Sequence, residues 1–205
     1  MPKSRTEAFS DGVFAIAITL LIIEVRVPDS KSGELARDLA NQWPSYAAYL
    51  VSFVIIGIIW VNHHDIFERI ITVDRPLLFL NLLLLLTVAF LPFPTALLGQ
   101  YIRQGDNAHI AAAVYGANMT LIGLAFIAVW TYLARVPSLL EPEMGADGAR
   151  RARRASVIGP VVYGLSIPLA FVSPVACLIV YAAMALYFAI AFTVARHTGG
   201  VTNNR

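Results

Sequence analysis

Long apolar segments alternate with short polar ones along the whole chain, at a spacing typical of membrane-crossing helices. Each of six segments approaches the roughly 20 residues that one crossing of a bilayer requires. They cover about residues 9–27, 46–67, 77–98, 108–133, 156–172 and 175–195. The last two form one run that divides near Ser173 and Pro174, because a proline biases the preceding residue away from helix. The pattern predicts an all-α polytopic membrane protein with six transmembrane helices, the first of which begins near residue 5.

The segments between these helices are too short to form soluble domains, so residues 1–205 are predicted to be a single six-helix transmembrane domain. The outer segment 28–44 is polar enough to carry a short surface helix. The longest segment, 134–155, contains proline, glycine and arginine, and an irregular loop is expected there.

The composition indicates that lipid is the solvent for most of the chain. Of the 205 residues, 58% are hydrophobic and 14% are charged, whereas a soluble domain carries about 25% charged residues and 45–50% apolar ones. The formal net charge of +2 is too small to indicate a nucleic-acid partner. The chain contains a single cysteine, Cys177, which excludes an intramolecular disulfide.

The distribution of lysine and arginine predicts the orientation of the helices. With the N-terminus inside, the cytoplasmic segments carry eleven basic residues and the outer segments carry four. The cytoplasmic set is Lys3, Arg5, Arg69, Arg75, Arg135, Arg150, Arg151, Arg153, Arg154, Arg196 and Arg205, and the outer set is Arg26, Lys31, Arg37 and Arg103. This bias predicts a multi-pass protein of the cell membrane with both termini in the cytoplasm. The arginines of segment 150–154 are expected to meet anionic membrane lipid rather than nucleic acid.

Five polar side chains fall at one depth near the cytoplasmic edge of the first three helices. Ser10 and Asp11 lie inside the first helix, and His63 and His64 lie near the end of the antiparallel second helix. Asn81 lies about 6 Å into the third helix, at 1.5 Å per residue. Because an acidic side chain at that depth needs a partner, we favour a structural layer of hydrogen bonds and ion pairs.

Two alternatives remain for the adjacent histidines of this layer, namely proton sensing and metal binding. Neighbouring side chains diverge by about 100° on a helix, and one metal site rarely uses both. No metal site is therefore predicted.

An apolar stripe runs along the first helix beyond the polar layer. At 100° per residue, Ile16, Thr19, Leu20 and Ile23 share one face within about 100°. Periodicity by itself indicates a stripe that faces lipid or packs against a neighbour, and nothing in it requires a pore.

A resemblance changes the interpretation of this stripe. Residues 5–12 read Arg-Thr-Glu-Ala-Phe-Ser-Asp-Gly and match the R-x-x-x-F-S-D signature of the transmembrane protein 175 family. That family comprises potassium channels of endosomes and lysosomes, with smaller bacterial relatives. The chain also resembles the family in residues 57–64, 80–83 and 90–95. The similarity covers the first three helices, whereas the last three match only in length and hydropathy.

The resemblance implies a potassium-selective cation channel in which the first helix of each subunit lines a symmetric pore without a P-loop filter. A chain with one six-helix repeat would assemble as a homotetramer, conduct K⁺ as the permeant ion and need no cofactor. The family's hydrophobic constriction corresponds to Ile16, continued outward by Leu20 and Ile23, and its hydroxyl layer corresponds to Thr19.

The resemblance also implies that Arg5, Phe9, Ser10 and Asp11 tie the first helix to its neighbours. From this and from their common depth, we predict that Arg5, Ser10 and Asp11 contact the end of the second helix that carries His63 and His64, or contact Asn81. Ile18 is outside the pore face and is expected to face lipid.

Three other functions compete with a channel. A secondary transporter or proton-coupled carrier needs discontinuous helices or buried charges near the midplane, whereas the acids and histidines of this chain gather at one edge. A membrane hydrolase needs a nucleophile with a base within reach, and no such set is legible away from that edge, so an enzyme is not predicted. A structural or assembly protein is the third alternative.

Overall fold

The computed structural model describes the backbone of residues 3–199 and the side chains of residues 3–190. Within residues 3–199, all regular structure is helical except for one isolated antiparallel bridge between Ile70 and Leu140. The all-α fold predicted from the apolar pattern is thereby confirmed. Two of the basic side chains in the orientation argument, Arg196 and Arg205, lie outside the residues whose side chains are described.

Nine α-helices and two short 3-10 helices follow one another along residues 3–199. In chain order they are α1 (Lys3–Leu20), a 3-10 turn (Leu21–Glu24), α2 (Leu35–Asn41), α3 (Trp43–Glu68), α4 (Arg75–Phe90), α5 (Pro92–Tyr101), α6 (Asp106–Arg135), a 3-10 turn (Pro137–Leu139), α7 (Gly145–Ala155), α8 (Ile158–Ala170) and α9 (Pro174–Gly199).

Four stretches of the described chain are long and apolar enough to cross a membrane. They are Lys3–Glu24, Trp43–Glu68, Arg75–Tyr101 and Asp106–Arg135. Helix α8 has 13 residues and is about 20 Å long at 1.5 Å per residue, which is less than the roughly 30 Å of a hydrocarbon core. Length and composition alone therefore assign four crossings.

The segment expected to form one helix over residues 77–98 is divided at Leu91 into α4 and α5. Pro92 causes the break, because it has no N–H to donate and its ring obstructs the preceding turn. The Thr95 hydroxyl donates to the carbonyl of Leu91 at 2.8 Å, and a back-bond of this kind is common where helices bend.

Both long polar segments carry helix. The polar segment 28–44 contains α2, so the surface helix predicted there is confirmed as a helix. The irregular loop predicted over residues 134–155 is wrong for its second half, where α7 occupies Gly145–Ala155. Alanine and arginine are both strong helix formers, and Gly148 and Ala149 are buried, so packing offsets the cost of the glycines.

Helix α6 forms the centre of the bundle and packs against α4, α5, α7 and α8. Two glycines allow α8 to come close. A Cβ added to Gly123 would lie 2.6 Å from the ring of Pro160, and one added to Gly116 would lie 2.6 Å from the Ser166 Oγ. The absence of side chains at these two positions thus sets the distance between α6 and α8.

The end of the bundle that carries α7 is closed by backbone hydrogen bonds between two loops. The Ile71 N–H donates to the Leu139 carbonyl at 2.8 Å, and the Glu141 N–H donates to the Arg69 carbonyl at 2.9 Å. Apolar residues of α3, α4, α6 and α7 pack beneath this junction as a separate buried cluster. The junction holds the end of α3, and with it Arg69, against the start of the α7 segment.

Candidate functional site

Helix α1 packs against α3 and α4 with one of its two faces. Thr6, Ser10, Phe14 and Ala17 are buried on this face, and Leu21 continues it into the 3-10 turn. Their spacing of three or four residues is that of one stripe on a helix. Because this stripe is packed inside the bundle, the opposite side of α1 is the one that remains exposed.

The four residues of the predicted constriction lie on the opposite, exposed face. The exposed fractions are 61% for Ile16, 40% for Leu20 and 68% for Ile23, and Thr19 is exposed as well. Phe9 was expected to tie α1 to its neighbours, but it is 56% exposed and extends the apolar stripe toward the N-terminus instead. In this protomer the stripe is a continuous apolar surface interrupted by one hydroxyl.

Small residues follow the apolar stripe along one side. Ala8, Gly12 and Ala15 are exposed and precede Thr19 at helical spacing, and a Cβ added to Gly12 would meet nothing within 4 Å. In membranes, stripes of small residues let helix backbones approach closely. The exposed face of α1 thus carries a row of small residues beside the apolar stripe.

The Thr19 hydroxyl is held by its own helix. It lies 2.8 Å from the carbonyl of Ala15 and 2.9 Å from the carbonyl of Ile16. The hydroxyl has one hydrogen and two lone pairs. Because the hydrogen is directed at the backbone, the lone pairs are left to accept a hydrogen bond or to face a cation.

The expectation that Ile18 faces lipid is wrong. Ile18 is half-buried and packs against the main buried cluster of the bundle. It follows Phe14 by four residues and precedes Leu21 by three, and both of these are buried on the face that α1 shares with its neighbours. A polar residue at Ile18 would disturb packing, which disqualifies it as a control for Ile16.

A chain of three hydrogen bonds forms the core of the predicted polar layer. The Ser10 hydroxyl donates to the Thr6 carbonyl at 2.8 Å, and Asn81 Nδ2 donates to Ser10 Oγ at 3.0 Å. His63 Nε2 lies 2.8 Å from Asn81 Oδ1. Ser10, His63 and Asn81 are all at most 3% exposed, so these bonds join α1, α4 and α3 inside the bundle.

The direction of this chain fixes the tautomer of His63. The Asn81 amide nitrogen donates to Ser10, so the amide oxygen faces His63 and accepts its hydrogen bond. His63 Nε2 must then carry a hydrogen. The ring is enclosed by Phe67, whose centroid lies 4.4 Å away, and by the edge of Phe14 at 5.3 Å.

Asp11 and His64 belong to a second, exposed set of contacts. Asp11 Oδ1 accepts from the indole N–H of Trp60 at 2.8 Å. Trp60 also stacks on His64 at 5.9 Å, and His64 Nε2 lies 3.3 Å from Glu68 Oε1. His63 and His64 thus point into different surroundings and do not share a site.

The predicted contact of Arg5 with this layer is wrong within the protomer. Arg5 is exposed and makes no hydrogen bond or ion pair with any residue whose side chain is described. Lys3 makes the link instead, because its Nζ donates to the Glu68 carbonyl at 3.3 Å and lies 3.9 Å from Glu7. The i,i+4 spacing of Lys3 and Glu7 was the available sequence signal.

The bundle also contains a buried hydroxyl cluster that the sequence pattern did not indicate. Ser52 Oγ lies 2.8 Å from Thr95 Oγ1 and 3.0 Å from the Tyr115 hydroxyl. The Tyr181 hydroxyl donates to the Ala112 carbonyl at 2.9 Å, and its ring stacks on that of Tyr115. These contacts join α3, α5, α6 and α9 away from α1, so they stabilise the scaffold rather than the exposed stripe.

Comparison with known families places this geometry in context. Residues 5–92, which include α1, α3 and α4, match the model of the family described as endosomal/lysosomal potassium channel TMEM175. A potassium channel of Streptomyces collinus is 50% identical over 187 residues, which cover 91% of each chain. A potassium channel of Chamaesiphon minutus is 40% identical over 189 residues, which cover 91% of this chain and 93% of that one.

The fold has a solved counterpart. The crystal structure of a lysosomal potassium-selective channel TMEM175 homolog from Chamaesiphon minutus superposes with a TM-score of 0.82 at 38% sequence identity. The match covers 92% of this chain and 97% of that one. It therefore extends past the three helices of the motif region to the whole bundle.

Proposed function

Because the chain belongs to the TMEM175 family of ion channels, we propose that it conducts potassium ions passively through a pore lined by its first helix. Membership in this family makes it a channel rather than an enzyme. The observation that carries the proposed pore is the face of α1 that holds Ile16, Thr19 and Ile23, which is exposed while the opposite face is fully packed.

An apolar ring on this face would act as both gate and barrier. Copies of Ile16 around an axis offer an ion no ligands, so the cost of removing its water sets the barrier, and such rings can also close by dewetting. Thr19 lies one turn farther along and turns oxygen lone pairs outward. We propose that Ile16 forms the narrowest ring and that Leu20 and Ile23 continue the wall.

Assembly as a homotetramer would complete this pore. One copy of α1 supplies only one wall, and its exposed side carries both an apolar stripe and the small residues Ala8, Gly12 and Ala15. Small residues allow the close helix contacts that a ring of four requires. The relatives of similar length carry potassium channel names, which supports an oligomeric channel built from chains of this size.

We further propose six crossings, with both termini on the cytoplasmic side of the cell membrane. The four spans that length assigns are supplemented by the apolar helix Pro174–Ile190 and by the shorter α8, which the bundle pairs with α6. The basic cluster on α7 then lies inside, as the excess of arginine in short segments favours.

The proposal is tested by reconstituting the purified protein into liposomes that hold a potassium gradient. We expect flux that follows the gradient, rises linearly with ion concentration over a wide range and is larger for K⁺ than for Na⁺. Saturable flux that requires a counter-ion would assign a carrier instead, and the absence of flux from a correctly assembled protein would refute the channel.

The topology is tested by cysteine accessibility in intact cells, with Arg103→Cys and Arg151→Cys as the two reporters. Native Cys177 is buried, so its background labelling should be low. We expect Arg103→Cys to react with an impermeant reagent from outside and Arg151→Cys to react only after permeabilisation. Labelling of both from one side would contradict six crossings.

A further inference from the structure

A deep groove opens between α3, α6, α7, α8 and α9, on the side of the bundle away from α1. Its volume of about 550 Å³ lies within the range of roughly 300–1,000 Å³ that is usual for small-molecule sites. The pore proposed above makes no use of this groove.

The inner part of the groove is apolar. The apolar residues that line it include Ile55, Ile122, Phe126, Ala155, Ile158 and Phe188, which we call its apolar floor. A polar ligand placed there would lose its hydrogen bonds to water without replacement, which is costly. The inner part is therefore suited to a hydrocarbon chain.

The end of the groove that lies at the C-terminal end of α3, here called its outer end, is basic. Arg69 and Arg151 line it, and the Arg69 guanidinium is positioned by a 3.7 Å contact between Nη1 and the sulfur of Met144. Asp65 is the one carboxylate among the described residues that line the groove. Neither arginine has a carboxylate within ion-pair distance among the residues whose side chains are described, so the outer end keeps a net positive charge.

Asp147, the acid on α7, is hydrogen-bonded to Arg150 rather than to Arg151, although the charge of Arg151 also lowers its pKa. Asp147 accepts a hydrogen bond from Arg150 on the exposed side of the helix. The Arg150 guanidinium lowers the pKa of the Asp147 carboxyl below its ordinary value, so this pair remains ionised at neutral pH. Asp147 is also absent from the residues that line the groove, which leaves Arg151 free to meet a ligand.

The length of the groove matches one leaflet of a bilayer. Ile55 and Arg69 line its two ends on α3 and are 14 residues apart, or about 21 Å at 1.5 Å per residue. Half of a bilayer that measures about 40–45 Å with its headgroups is about 20–22 Å. A phosphate held by the arginines would thus leave its acyl chain at the depth of the apolar floor.

We propose that this groove is a binding site for an anionic membrane phospholipid, with its phosphate at Arg69 and Arg151 and one acyl chain between α3, α6 and α8. Basic pockets between transmembrane helices are a recognised way of holding anionic lipid headgroups. The charge at the outer end and the apolar floor match the two parts of one such molecule.

The test measures lipid binding to the purified full-length protein by native mass spectrometry. The probes are phosphatidylglycerol and phosphatidylcholine with identical acyl chains. We expect phosphatidylglycerol to bind more tightly, and the double variant Arg69→Gln/Arg151→Gln to lose about 30-fold in affinity for it, at about fivefold for each basic residue near an anionic surface. The double variant should no longer distinguish the two lipids.

Two further variants make the test specific to the groove. Arg154→Gln removes an exposed arginine of the same helix that does not line the groove, and its affinity should stay within about twofold, as expected for a surface charge outside a site. Ala155→Trp places a large side chain in the groove and should weaken both lipids by about tenfold, because chain methylenes lose their apolar contacts.

Several outcomes would overturn the proposal. Equal binding of the two lipids to the unaltered protein would indicate a nonspecific lipid shell, and an equal loss from Arg154→Gln would indicate general surface charge. Competition by glycerol phosphate, which has no acyl chain, at the same concentration would make the site one for phosphate alone. A change in oligomer mass with unaltered lipid binding in the double variant would assign the groove to a neighbouring subunit.

Discussion

Helices α1 and α6 are both apolar enough to span a membrane, yet they are used in opposite ways. In the most apolar stretch of α6, 56% of the residues are buried, whereas the corresponding share for the first span is 28%. Helix α6 is surrounded by α4, α5, α7 and α8, while α1 packs against α3 and α4 on one side only. One helix is scaffold and the other presents a surface.

The difference shows that in a lipid environment hydrophobicity does not encode which side of a helix is packed. Lipid is as apolar as leucine, so burial between helices is marked by small and polar residues instead. On α6 these are Gly116, Gly123 and Tyr115, which meet α8 or the buried hydroxyl cluster. On α1 the corresponding mark is Ser10, at the centre of the polar layer.

The comparison predicts its largest effect for a polar side chain on the exposed face of α1. Ile16→Asn should wet the proposed constriction and raise cation flux by about tenfold or more, since a barrier lowered by only ~1.4 kcal/mol already gives a factor of ten. The preference for K⁺ over Na⁺ should fall at the same time. Liposome flux with each ion measures both effects.

The control for this change is Leu121→Asn, which alters an exposed apolar residue near the middle of α6. Leu121 is 53% exposed, against 61% for Ile16. We expect no gain in flux from Leu121→Asn. Equal effects of the two variants would mean that the exposed face of α1 is not the conducting wall.

Added volume should distinguish the two helices in stability. Gly116→Ala on α6 places a Cβ within 2.6 Å of Ser166 Oγ and 2.8 Å of the Tyr181 hydroxyl, and overpacking of this kind costs about 1–3 kcal/mol. Gly12→Ala on α1 meets nothing within 4 Å inside one subunit, so it should leave the unfolding temperature of the separated subunit unchanged or slightly raised. Thermal unfolding in detergent measures both variants. A loss at Gly12 as large as that at Gly116 would show that another subunit occupies this space.

Loss of the polar layer should loosen α1 from the scaffold. Asn81→Ala removes the partner of both His63 and Ser10, and buried groups without partners cost about 1–3 kcal/mol. The free energy of unfolding should fall accordingly. Asn62→Ala is the comparison, because Asn62 bonds only to the Ile58 carbonyl of its own helix. A similar loss from both variants would remove the special role assigned to the layer.

The smallest stability effect is expected at Thr19. Its hydroxyl bonds only to the backbone of α1, so Thr19→Val should change the free energy of unfolding by less than about 0.5 kcal/mol, as is usual at exposed positions. Conduction should respond instead, with a lower ratio of K⁺ to Na⁺ flux. An unaltered ratio would confine ion preference to the apolar ring.

The sequence allowed the apolar helices and much of the polar layer to be anticipated. Ser10, His63 and Asn81 could be placed together because helices of known direction carry them at equal depth. The same argument could not distinguish Arg5 from Lys3, since both precede the membrane and rotation about the helix axis decides which one reaches α3. Trp60 was missed as the partner of Asp11 because an aromatic residue near a membrane edge is expected at the interface anyway.

The sequence could not predict helix α7 or the half-buried position of Ile18, for a different reason. Both depend on packing between elements far apart in the chain. Helix α7 is held by the junction of the loops around Ile70 and Leu140. Ile18 packs against the main buried cluster, to which Phe14 and Leu21 belong. Neither contact leaves a periodic trace in the local sequence, so propensity and hydropathy could not decide them.

The polar layer also restrains rotation of the first helix about its own axis. Ser10 and Asp11 point about 100° apart around the axis of α1 and bond to different helices, Ser10 to α4 through Asn81 and Asp11 to α3 through Trp60. Rotation of α1 in either direction would break at least one of these bonds. Ile16 lies about 9 Å beyond Ser10 on the same helix. The direction in which it points is therefore set by two hydrogen bonds in which Ile16 takes no part. Ser10 and Asp11 would then control the orientation of the proposed apolar ring, although neither side chain would contact an ion.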